Sequence, residues 1–108
     1  MNVGTIVLIP FPFAELTNVK VRPALVISLT KDKYQDLILC SISSVVPAQP
    51  GLFEMMLQPN GVNRLRVPSI VKVDRIVTLK KEDVITTLGK ITDAETKLFK
   101  ELFRKLVE

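Results

Sequence analysis

The groups in this chain that could do chemistry are few. It has no histidine and a single cysteine, Cys40. Histidine-based nucleophilic catalysis within one chain is excluded, and zinc or copper sites built on His and Cys have no ligand set. The four glycines, Gly4, Gly51, Gly61 and Gly89, are scattered, so there is no glycine-rich phosphate loop. Any reaction must run on Arg, Lys, Asp, Glu, Ser, Thr or Tyr. Arg22 stands directly before Pro23 at the head of an apolar run. An arginine fork donates two parallel bonds to a phosphate and stays protonated. Read blandly, Arg22 is a surface residue before a strand-opening proline. Lys72 and Asp74 lie two apart in an apolar segment, so on a strand their side chains share a face. A lysine can neutralise a phosphate and an aspartate can accept a proton; read blandly, the two are an exposed ion pair of little energetic weight. Phe11 and Phe13 flank Pro12. Their rings could stack on bases, worth about 1–3 kcal/mol each, or pin their loop to the core. Arg64 and Arg66 follow the turn signal Asn60-Gly61 and are candidates to line a groove. Tyr34 reads as a surface residue and Cys40 as an inert core residue.

Short strands must position these side chains. Thr5–Ile9 is an apolar, β-branched run stopped by Pro10 and Pro12. Residues 11–20 read as a loop, and Ala24–Leu29 as a second strand. Lys31-Asp32-Lys33 marks a turn before a third strand, Leu37–Ile42. Leu52–Leu57 is a fourth, and Ser69–Asp74 with Ile76–Leu79 a fifth with a bend. Strands apolar at consecutive positions imply burial on both faces, as in a tightly closed barrel. The period then changes. Thr92 and Glu95 form a capping box, and Leu98, Phe99, Leu102, Phe103 and Leu106 recur at helical spacing. The expected architecture is mainly β with a C-terminal helix: five or so strands in a small SH3-like or OB-like barrel, one domain over residues 1–108.

Composition agrees with a globular chain. Of 108 residues, 47% are hydrophobic and 24% charged, which excludes intrinsic disorder. No apolar run reaches the roughly 18 residues of a membrane span. Met1–Thr5 shows no signal-peptide pattern, and the lone cysteine fits a reducing cytoplasm. The net charge is +4, all of it in residues 55–108, because residues 1–54 carry four basic and four acidic groups. Such a surface suits a polyanion or an acidic protein, although many small proteins of this charge bind neither.

In order along the chain, Gly4–Leu8, Pro10-Phe11-Pro12-Phe13, Arg22–Val26, Ile42-Ser43-Ser44, Ser69–Asp74, Thr78-Leu79, Leu88–Ile91 and the terminal helix resemble the MazF/PemK/Kid family of bacterial toxins. The resemblance covers nearly the whole chain. It implies the SH3-like barrel of these toxins and of CcdB, a homodimer, and a metal-independent endoribonuclease with no cofactor that cuts single-stranded RNA. It also implies inhibition by a small antitoxin whose acidic, flexible tail occupies the RNA groove. By the same resemblance, Arg22, Ser43, Asp74 and Lys72 would be catalytic, and Ser44 would contact RNA. Ser43 stands where the family has threonine, Lys72 where Kid-like members have arginine, and Thr5 where the family usually has aspartate. The loop histidine of some members is absent. Two further readings stand beside it: from these departures, a binding module that keeps the fold without cleavage, and from the shared barrel, a gyrase-directed toxin of CcdB type. The second lacks the C-terminal tryptophan its poison site needs, since the chain ends Leu106-Val107-Glu108.

Overall fold

A computed structural model describes residues 2–10 and 20–108 of the chain. Its strands are β1 (Thr5–Pro10), β2 (Val21–Leu29), β3 (Leu37–Ser43), β4 (Glu54–Leu57), β5 (Ser69–Leu79) and β6 (Thr86–Lys90), followed by a helix, α1 (Asp93–Lys105). The strands form one curled antiparallel sheet in the order β4-β5-β3-β2-β1-β6.

The consecutive apolar residues are explained by two clusters. Ile6, Leu25, Cys40 and Ile42 enter one cluster. Their neighbours Val7, Ala24, Val26 and Leu39 enter the other. Successive side chains of a strand point to opposite faces, so both faces of the first three strands are buried. Phe99 of α1 is buried in the first cluster at 1% exposure. Full burial of such a ring contributes about 1.5–3 kcal/mol. The capping box is present: the Glu95 N–H donates to Thr92 Oγ1 at 3.1 Å, and the Thr92 N–H donates to Glu95 Oε1 at 2.8 Å. Such a cap contributes about 1 kcal/mol.

Two expectations are corrected. The described residues form six strands, because Thr86–Lys90 pairs with β1 at the sheet edge. The fourth strand starts at Glu54, since the Gly51 N–H donates to Glu54 Oε1 at 2.7 Å and closes a turn over residues 51–54. The expected bend in β5 is present. Cys40 pairs with Ile76 but Ile42 with Val71, so β5 takes five steps where β3 takes two.

Cys40 is fully buried, and burial pushes its thiol up to about 12. The thiolate is the reactive form. Labelling by a disulfide reagent at pH 8 is therefore expected to be about a thousandfold slower in the native protein than in denaturant. Equal rates would show that the core around Cys40 is open.

Candidate functional site

β2 and β3 part company at one end, and the reason is in the sequence. β3 pairs with β2 only from the Ala24–Ser41 pair onward. The residue before Ala24 is Pro23, which has no N–H to extend a ladder. β2 nevertheless continues back to Val21 through its pairing with β1, where Pro23 faces Leu8 and Arg22 faces Ile9. β3 continues to Ser43 through its pairing with β5, beyond the end of its ladder with β2. The splayed ends open a hollow of about 610 Å³.

The rest of the wall comes from the β4–β5 connection and from β6. Leu8, Pro23, Ile42, Leu65, Val67 and Leu88 supply apolar surface. Leu88 reaches it at an irregularity in the β1–β6 register, where Ile6 pairs with Gly89 but Val7 with Thr87. A bulge of this kind re-aims a side chain. Lys20, Arg22, Arg64 and Arg66 add four cationic groups, and Ser44 and Ser69 add hydroxyls. Among the described residues lining the hollow, none is acidic. Charges of one sign around a concave, low-dielectric surface focus the potential and concentrate the opposite ion. An apolar wall with cations around it suits a nucleotide, whose base is flat and apolar-faced and whose phosphate is anionic.

The structure thus brings together Arg22, Ser44, Arg64 and Arg66. Ser43 is next to this group but does not line the hollow, and its Oγ accepts the Val45 N–H at 3.1 Å in the turn that ends β3. Lys72 and Asp74 keep their two-residue spacing on β5 at its bend. Lys72 pairs with Glu54, Asp74 is exposed, and neither lines the hollow. Phe11 and Phe13 lie outside the described residues.

Sequence reasoning missed Lys20 and Ser69. Lys20 had a signal, its place two residues before Arg22. Ser69 is 3% exposed, and its hydroxyl donates to the Val67 carbonyl at 3.0 Å. Nothing local distinguishes it from any serine at a strand start.

Comparison with known proteins adds an independent line. The fold is similar to that of an endoribonuclease from a mycobacterial species, solved in complex with its cognate antitoxin, at a TM-score of 0.74. The two share 14% identity over 99% of this chain and 94% of that one. It is also similar to the Mycobacterium tuberculosis toxin MazF-mt6, at a TM-score of 0.69 and 17% identity, over 95% of each chain. At such identities the likeness is one of fold. No match was found among curated proteins. The family model for PemK-like, MazF-like toxins matches residues 2–107. The chain therefore belongs to the PemK-like, MazF-like toxins of type II toxin–antitoxin systems.

Proposed function

We propose that this toxin is an endoribonuclease that cuts single-stranded RNA at the hollow between β2 and β3, without a metal ion. The observation that carries the reading is the hollow itself, with Lys20, Arg22, Arg64 and Arg66 around an apolar wall that has no described acidic residue. Family membership and the solved relative described as an endoribonuclease support it.

The chemistry requires charge stabilisation and proton transfer. The ribose 2′-OH loses its proton and its oxygen bonds to the adjacent phosphorus. The bond from phosphorus to the 5′-oxygen breaks, and that oxygen takes up a proton. The products are a 2′,3′-cyclic phosphate and a 5′-OH end. The Arg22 guanidinium holds the non-bridging oxygens, where negative charge builds up. Arg64, Arg66 and Lys20 hold flanking phosphates, and the Ser44 hydroxyl donates to a phosphate oxygen. Ser43 fixes the turn that presents Ser44. A base lies against the apolar wall, and Phe11 and Phe13 are the candidates to stack on bases. Asp74 is the candidate proton acceptor and Lys72 its cationic neighbour two residues away on β5, both outside the lining of the hollow. Asp74→Asn is expected to lower kcat at least tenfold, because an amide cannot take the proton. An unchanged kcat would remove Asp74 from the mechanism.

The same hollow, with its four cations, suits the acidic segment of an antitoxin; the mycobacterial relative was solved in complex with its cognate antitoxin. We assign the active form to a homodimer on family grounds. Among the described residues, no helix is long and apolar enough to cross a membrane.

The test is direct. Purified protein is incubated with a long mixed-sequence RNA in EDTA and the cut ends are mapped. Cuts at a recurring short motif with cyclic phosphate ends are expected, and Arg22→Ala should lower their yield by about 10²–10³-fold. Intact RNA from folded, antitoxin-free protein would overturn the reading. RNA bound but uncut would leave a binding module, and capture of gyrase would point to the other toxin mechanism.

A further inference from the structure

Arg64 and Arg66 sit on the connection between β4 and β5, residues 58–68. Long connections are usually mobile, and mobile arginines make poor anion sites, because ordering them on binding costs conformational entropy. This connection is instead knotted around a buried amide. Asn63 is fully buried. Its Oδ1 accepts the N–H groups of Asn60 at 3.1 Å and Leu65 at 3.0 Å. Its Nδ2 donates to the Gln58 carbonyl at 2.8 Å. Asn60 answers from the surface: its Oδ1 accepts the N–H groups of Val62 at 2.9 Å and Asn63 at 2.8 Å. The Arg64 N–H donates to the Asn60 carbonyl at 2.9 Å.

Between these anchors Arg64 takes φ 59°, a left-handed conformation that a residue with a side chain rarely adopts. Such a conformation persists only where its surroundings over-determine it, and these cases cluster at functional sites. The clamp holds the backbone on both sides of Arg64: Asn63 precedes it, and the bonded Leu65 follows. Leu65 is itself buried, so the flanking arginines project from a fixed base. Asn63 does not line the hollow, whereas Arg64, Leu65 and Arg66 do.

We infer that Asn63, with Asn60, is a positioning residue for anion binding: two uncharged amides preorganise Arg64 and Arg66 toward a phosphate-bearing ligand that they do not touch. This rests on the reading of the hollow as a phosphodiester site.

Binding is measured across a salt series for a 2′-O-methylated single-stranded RNA, which cannot cyclise, and separately for inorganic pyrophosphate. Asn63→Ala and Asn60→Ala are each expected to weaken both ligands about tenfold or more. The slope of log K against log salt for the RNA should fall by up to about 1.4, the single-strand value for two phosphate contacts. Asn60 is exposed, so its variant keeps the question answerable if Asn63→Ala does not fold. Asn60→Ser retains a side-chain acceptor and should restore most of the affinity. In an Arg64→Ala/Arg66→Ala background, Asn60→Ala should add nothing. The inference is overturned if folded Asn60→Ala binds both ligands as the parent does, or loses as much affinity without the arginines as with them. A parent that binds pyrophosphate but no RNA would end the ribonuclease reading alone, leaving the inference to the pyrophosphate series. A parent that binds neither ends both.

Discussion

Arg22→Ala is expected to lower RNA cleavage by about 10²–10³-fold, the usual loss when a preorganised donor to the developing charge is removed. The magnitude follows from where Arg22 sits. Its backbone is fixed by pairing with Ile9, and the next residue is a proline paired with Leu8. Its side chain is half-buried at the hollow, where other cations gather and no described acidic residue lines the wall. A guanidinium so placed acts on charge that appears only as the bond to phosphorus forms. kcat should therefore fall more than KM rises. Arg64→Ala and Arg66→Ala should do the reverse, because their phosphates are present from the start. Arg22→Lys keeps the charge and loses the fork, so its activity should fall between alanine and arginine. Single-turnover rates at saturating enzyme separate the two effects, with circular dichroism to verify the fold. An Arg22→Ala protein with the parent kcat would show that the reacting phosphate sits elsewhere.

The parts of this fold legible in the sequence are those whose signal is local. β1, β2 and β3 are dense in Val, Ile and Leu because both of their faces are buried. The helix announces itself through Thr92, Glu95 and the spacing from Leu98 to Leu106. β6 was not legible. Its sequence, Thr86-Thr87-Leu88-Gly89-Lys90, has one large apolar residue, and among the described strands it lies at the sheet edge beside β1. The site divides in the same way. Arg22 is visible because Arg-Pro before an apolar run is a recognisable pattern. The hollow is not, because it depends on where β3 leaves β2, a tertiary event that no window of sequence contains. The Asn60-Gly61 signal located a turn but not its mechanism. The turn is held by the Asn60 and Asn63 side chains, and the positive φ falls on Arg64 rather than on Gly61. A buried asparagine is indistinguishable in sequence from an exposed one.

Gly89→Ala should cost about 3 kcal/mol and lower the Tm by more than about 10 °C. The reason is a close approach of two backbones. A methyl group at Gly89 would press on the carbonyl oxygens of Val62 and Asn63, the latter at 2.6 Å. These are main-chain atoms and cannot swing aside as a flexible side chain would. The Val62 carbonyl also accepts the Lys90 N–H at 3.1 Å, so moving the loop away sacrifices that bond. Overpacking alone costs about 1–3 kcal/mol, and the lost bond adds about 1 kcal/mol. Gly61→Ala is the matched control. It has open space around its Cβ position and no positive φ, so its effect should stay within about 0.5 kcal/mol. The difference reaches the site, because the displaced loop carries Arg64 and Arg66. Gly89→Ala protein held below its Tm should bind single-stranded RNA more weakly than Gly61→Ala, with a shallower salt dependence. Denaturant titration of both variants decides the matter. A Gly89→Ala protein within 1 kcal/mol of the parent would mean that β6 and the β4–β5 connection do not meet as closely as described, and that the arginines are held some other way.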